Sequence, residues 1–292
     1  MPDIQKIKSI IAGYIELTKP RILSLVLVTT ALGYFLGGQG IASWEKLFIL
    51  LGGVALVCGG SAALNHYLER EVDSKMDRTK NRPIPQGLIA AHNALSFGIL
   101  LILTGVFILW GEINLLTAFL SLLTAFLYVL VYTPMKRISW INTSIGAIHG
   151  ALPPMGGWAA ATGELNLGAW ILFLILYTWQ HPHFYSIAWM YREDYRQAGF
   201  KMLPVVHPNG RSTFAQINFF AVLLIVVSLW PCFIGIAGRF YFWGALLAGI
   251  ILLAQGLLLT ASRSHADAHK LLRASVIYLP VLFLLIVLDV HF

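Results

Sequence analysis

The chain has 292 residues, 58% of them hydrophobic and only 11% charged. Soluble domains carry about 25% charged residues, so a soluble enzyme, a nucleic-acid binder and a disordered chain are excluded. The net charge of +7 fits the basic loops of a membrane protein and calls for no nucleic-acid partner. The expected class is all-α, a polytopic membrane protein of nine transmembrane helices, because nine spans of ~20 residues account for the apolar content.

At the N-terminus, Ile4, Ile7, Ile10, Ile11, Tyr14 and Ile15 recur near helical spacing with Lys6 and Lys8 between them. This predicts a short interfacial helix within a cytoplasmic segment 1–21. The first long apolar run starts at Ile22 with no small-residue cleavage site before it, so neither a signal peptide nor a transit peptide is expected. Spans are predicted near 22–38, 46–64, 95–110, 114–134, 142–161, 167–190, 213–237, 240–260 and 272–291. The run 142–161 holds His149, Pro153, Pro154 and several glycines, so a broken helix lining a cavity stays open there beside a continuous one. Cys58 and Cys232 each sit inside an apolar run, which argues against a disulfide framework and a thiolate metal site. A single domain over 1–292 is expected.

Every Lys and Arg except Lys46 and Arg239 falls before the first span or in alternate loops of the nine-span layout. The positive-inside bias then puts the N-terminus in the cytoplasm and the C-terminus on the outer side. Between the second and third spans, Asn65, Glu69, Asp73 and Asp77 recur every four residues. Four residues turn a helix by ~400°, so successive members drift only ~40° and rise ~6 Å. The result is a stripe of oxygen donors along one helix face at the cytoplasmic end of a span.

Carboxylates at this spacing repel one another, and a divalent cation relieves the repulsion. Hard oxygen donors suit Mg2+, which takes one or two carboxylates and completes its octahedron with water and phosphate. The stripe rises ~18 Å in all, too long for one ion. Asn65, Glu69 and Asp73 are therefore expected near the metal and Asp77 further out. Arg78, Lys80 and Arg82 follow at once and offer cations to a polyphosphate. The alternative is a solvated helix laced with ion pairs. A second polar loop on the same side carries Arg192, Glu193, Asp194, Arg196 and Lys201. There Asp194 is a candidate metal ligand, and Arg192, Arg196 and Lys201 are candidate phosphate ligands.

Three segments in order resemble the heme O synthase branch of the UbiA superfamily of membrane prenyltransferases. They are Leu17-Thr-Lys-Pro-Arg21, the Asn65–Asp77 ladder running on to Arg82-Pro, and Gln180-His-Pro-His183-Phe184 through Asp194 to Pro204. The resemblance implies nine helices around a central cavity and transfer of a farnesyl group from farnesyl diphosphate to a vinyl group of heme b. It also implies Mg2+ as cofactor, the bacterial cytoplasmic (inner) membrane as location, and a downstream heme-modifying enzyme or terminal oxidase as partner. In the second loop Asp194 is followed four residues later by Ala198, whereas other branches carry a second Asp ladder. That departure favours a heme acceptor and leaves the second metal site open, with Arg196 and Lys201 as substitutes.

His183 and His149 are the candidate heme-binding residues, because an ionisable side chain inside a span is costly and neutral imidazole ligates heme iron. A core histidine bonded to a neighbouring helix is the other reading. With Pro182 expected to loosen the helix locally, His183 lies ~16 Å from Asp194 along it. Two rivals remain open on these residues: prenylation of an aromatic or quinone precursor, and a non-enzymatic heme or lipid transporter.

Overall fold

The computed structural model describes residues 4–291. In chain order these form α1 (Ile4–Leu17), α2 (Pro20–Gly37), α3 (Trp44–Asp73), α4 (Ala91–Glu112), α5 (Leu115–Phe126), a π-helical segment (Leu127–Tyr132) and α6 (Thr133–Ile138). There follow α7 (Asn142–Thr162), α8 (Leu167–Met190), α9 (Arg192–Gln197), α10 (Leu203–Val206), α11 (Arg211–Phe233), α12 (Arg239–Ser262) and α13 (His265–Leu288). Side-chain caps begin several of them where the sequence supplies Ser or Asn. Ser43 accepts from Lys46 N, Asn114 from Thr117 N, and Ser264 from Asp267 N.

Seven segments are long and apolar enough to cross a membrane: α2, α3, α4, the 24-residue run Leu115–Ile138, α11, α12 and α13. The protein is thus an integral, multi-pass membrane protein. The helices α7 and α8 have 21 and 24 residues, ample for a crossing. Their His149, Gln180, His181 and His183 and their three prolines keep them out of the apolar set. Among the described residues seven helices are thus plainly apolar, and the two further long helices with polar contents are compatible with the expected nine spans. Phe107, Trp110, Phe119, Phe240, Trp243 and Leu247 are exposed, as lipid-facing side chains are.

The 142–161 run, open between a broken and a continuous helix, is continuous, and the local loosening expected at Pro182 does not interrupt its helix. α7 runs unbroken through Pro153 and Pro154, and α8 through Pro182. In hydrocarbon every freed N–H and C=O must find a partner, so each proline removes one donor while the remaining ladder holds the helix. α3 is also longer than its apolar run, reaching Asp73, and so carries the acidic stripe on the same rod that enters the membrane.

The chain divides into two compact units. One comprises Met1–Met135, Leu152–Glu164 and Gln197–Gly199, and the other Lys136–Ala151, Leu165–Arg196 and Phe200–Phe292. In the first, α1 is the expected amphipathic helix. Its Leu17 is fully buried while Ile4, Ile7, Ile11 and Ile15 are exposed, and Tyr14 meets Phe97 edge-on at 4.9 Å. α3 packs most extensively on α4.

Two glycine pairs seven residues apart make that approach close. A β-carbon on Gly60 would stand 2.5 Å from the Gly98 carbonyl oxygen, and one on Gly105 2.6 Å from that of Gly53. Small residues let membrane helices meet backbone to backbone. Gly60→Val is expected to force the seam apart and cost ~1–3 kcal/mol, read as a lower melting temperature in detergent. An unchanged melting temperature would show that the seam does not hold α3 in place. In the second unit, α8, α11, α12 and α13 pack in neighbouring pairs.

Candidate active site

The first unit gathers its polar chemistry along one face of α3. Asn65, Glu69 and Asp73 are all buried, Asn65 and Asp73 completely, so the stripe points into protein and not to solvent. Asp77 does not continue it. α3 ends at Asp73, where the Thr79 hydroxyl donates to the Asp73 carbonyl at 2.9 Å, and the turn throws Asp77 onto the surface. There Asp77 pairs with Lys80 at 2.7 Å, and the ammonium holds its carboxyl below the usual carboxylate range.

Each end of the buried face carries a cation. At the Asp73 end, Arg82 donates to Asp73 Oδ2 at 2.6 Å. At the other end, Lys19 Nζ donates to Asn65 Oδ1 at 2.6 Å and to the Tyr128 hydroxyl at 3.0 Å. The Asn65 amide nitrogen donates to Thr133 Oγ1 at 3.0 Å. Of the three cations expected after the ladder, only Arg82 turns inward; Arg78 and Lys80 are exposed.

Lys19, Tyr128 and Thr133 are site residues that the sequence reading did not single out. Lys19 has φ 51° and ψ 65°, a left-handed conformation that is strained for a side-chain-bearing residue and tends to occur at functional sites. Its place before Pro20, which disfavours a right-handed helical residue there, was the available signal. Tyr128 and Thr133 bracket the π-helical turn, a rare element enriched at functional sites, and the Thr133 hydroxyl donates to the Tyr128 carbonyl at 2.8 Å. No local pattern announces such a turn.

The face fits a hard divalent cation. Asp73 Oδ1 is buried with no hydrogen-bond partner, an arrangement that is costly unless a ligand completes it. Glu69 lies one turn away on the same face, and the Asn65 carbonyl has a second lone pair. Among the described residues no three His, Cys, Asp or Glu side chains converge as a cage. Mg2+ needs none when a phosphate and waters complete its shell.

In the second unit the second polar loop is placed differently. Arg192 folds over Trp189, 4.4 Å from the ring, and donates to the Trp189 carbonyl. Arg196 grips Glu193 through two bonds of 2.9 and 2.6 Å, which raises the guanidinium above its ordinary value. Asp194 is half-buried and Lys201 exposed, the latter held by its backbone to Lys136 O at 2.7 Å and to Asn142. Within α8, His183 Nδ1 lies 2.9 Å from Ser275 Oγ, and His149 on α7 is half-buried.

The site is an oxygen-lined face at the end of one spanning helix with a cation at each end, in an integral membrane protein. The chain belongs to the UbiA prenyltransferase family, whose profile matches residues 26–284. It is 47% identical to the protoheme IX farnesyltransferase of Solibacter usitatus over 94% of this chain and 98% of that one. It is 44% identical to the same-named protein of Salinibacter ruber, over 94% and 98%. The fold matches a structure described for digeranylgeranylglyceryl phosphate synthase in membranes, with TM-score 0.82 and 19% identity over 96% of this chain and 98% of that one. It also matches a UbiA homolog from Archaeoglobus fulgidus bound to DMAPP and Mg2+, with TM-score 0.67 and 18% identity over 94% and 99%.

Proposed function

We propose that this protein transfers the farnesyl group of farnesyl diphosphate to a vinyl group of heme b, giving heme O. The observation that carries the reading is the buried Asn65–Glu69–Asp73 face, with its unpartnered Asp73 oxygen and a cation at each end. The names and full-length similarity of the relatives supply the acceptor and the prenyl length. The family profile runs through both units, which supports one prenyltransferase domain over the whole chain.

Glu69 and Asp73, with Asn65, would hold Mg2+; when bound, that ion neutralises the leaving diphosphate. Arg82 and Lys19 stabilise the same charge from the two ends of the face, and Arg78 and Lys80 offer further cations from the loop. Arg192, Arg196 and Lys201 in the second unit are proposed as phosphate ligands on charge alone. The allylic C–O bond breaks with its electron pair leaving on the diphosphate. The vinyl π electrons then bond to the allylic carbon, and water adds to the resulting heme-side cation with loss of a proton. Burial of the carboxylate face keeps solvent from quenching the allylic cation early. His183 and His149 are proposed for the heme.

Purified protein incubated with heme b, farnesyl diphosphate and Mg2+ is expected to yield heme bearing one added farnesyl group and one added hydroxyl by mass analysis. Unmodified heme beside a prenylated phenolic acceptor would transfer the reading to the aromatic branch. We further propose the bacterial cytoplasmic membrane as the location and a heme-modifying enzyme or terminal oxidase as the recipient of the product. With the N-terminus cytoplasmic, Ser74→Cys and Gln197→Cys are both expected to react with a membrane-impermeant thiol reagent only from the cytoplasmic side. Labelling from opposite sides would overturn the topology.

A further inference from the structure

The hydroxyl of Ser275, on α13 in the second unit, has a single proton. Its oxygen stands 2.7 Å from the Leu272 carbonyl oxygen, an atom that only accepts. The same oxygen stands 2.9 Å from His183 Nδ1. A proton directed at that carbonyl leaves Ser275 Oγ to meet Nδ1 as an acceptor. In that arrangement the imidazole proton is on Nδ1 and the lone pair of the neutral ring is on Nε2.

Ser275 also sets the plane of that ring. Its carbonyl accepts from Trp179 Nε1 at 2.8 Å, and the Trp179 ring stacks on His183 with centroids 4.8 Å apart and planes 22° from parallel. One fully buried serine thus holds the histidine through its side chain and the histidine's stacking partner through its backbone. His181, two residues earlier on α8, provides the contrast. Its Nδ1 lies 2.8 Å from the Tyr177 carbonyl and so donates, and its Nε2 accepts from Ser144 Oγ at 3.1 Å. Its ring is stacked 3.5 Å from that of Phe220. His181 has no nitrogen left to offer, whereas His183 has Nε2.

We propose that Ser275 is a positioning residue that sets the tautomer and plane of His183, so that Nε2 is presented to the iron of the porphyrin substrate as a neutral axial ligand. This rests on heme b being the acceptor. A partner that fixes the tautomer of a ligating histidine usually tightens metal binding 10–100-fold.

The test is heme titration of the full-length protein in detergent, read by the Soret band and by electron paramagnetic resonance of the ferric form. Wild type is expected to show one histidine-ligated species. His183→Gly should lose that signature and regain it when free imidazole is added. Ser275→Ala should bind heme ~10-fold more weakly and give a mixed spectrum, while Ser275→Thr, which keeps the hydroxyl, should match wild type. Should Ser275→Ala not fold, Ser275→Cys keeps the size with a poorer acceptor and should show the same weakening. A wild-type spectrum and affinity in the folded Ala or Cys variant overturns the role of Ser275. Indifference of His183→Gly to imidazole overturns the ligation. If wild type neither binds nor farnesylates heme, the acceptor reading itself fails. If it does both while the Ser275 variants behave as wild type, only this inference fails.

Discussion

Asp73→Asn is expected to lower farnesyl transfer by ~10³-fold or more while the protein stays folded. The substitution keeps the side chain's shape but removes the charge from a carboxylate that is fully buried, bonded to Arg82 and still holding an unpartnered oxygen. Asn is the better probe than Ala here. Deleting the side chain would strand Arg82, and losing one partner of a buried pair costs ~3–5 kcal/mol. The Arg82 side chain is 23% exposed, so it can reach water when its partner is merely neutralised. Glu71 is the control. It lies ~200° around the helix from Asp73 with its side chain 75% exposed and near Arg70, and Glu71→Ala should change turnover less than about 2-fold, in line with the small worth of exposed ion pairs. Measured kcat values that fall equally in the two variants would reduce the stripe to an ordinary charged helix end.

Lys19→Met is expected to lower kcat/KM for farnesyl diphosphate by ~10²-fold, the usual cost of one preorganised donor to a developing anion. The backbone argues for that role. A left-handed lysine costs ~1–3 kcal/mol, and what it provides is an ammonium group aimed at Asn65 and Tyr128. Lys19→Gly separates the two contributions, since glycine takes the same backbone conformation freely. Its melting temperature should hold while its activity falls as in Lys19→Met. Full activity in Lys19→Gly would mean that the position matters only as a turn between α1 and α2.

The buried face was legible as a register of four. Asn65, Glu69 and Asp73 share it because 3.6 residues per turn bring every fourth side chain round, and this holds for any helix long enough. Asp77 was legible as a member and fell outside, because α3 stops at Asp73 and pattern alone cannot say where a helix ends. Lys19 and the Tyr128–Thr133 turn come from two separate parts of the chain, and only folding brings them to Asn65. His181 and His183 are alike by sequence, two residues apart on one apolar run. They differ because Ser144 and Tyr177 use both nitrogens of the first, while Ser275, 92 residues further on, uses one nitrogen of the second.

By itself the sequence determined the class of the molecule and the extent of most of its helices. Those follow from local quantities, namely apolar run length against bilayer thickness and hydrogen bonds closed within each segment. It also determined which residue types the site can use. The tertiary structure alone decided which cations meet the carboxylates, where the π turn falls, how closely α3 and α4 approach through their glycines, and which of His181 and His183 keeps an open nitrogen. Each of these depends on atoms distant in the chain, and a buried polar atom's chemistry is set by the partners it finds or lacks.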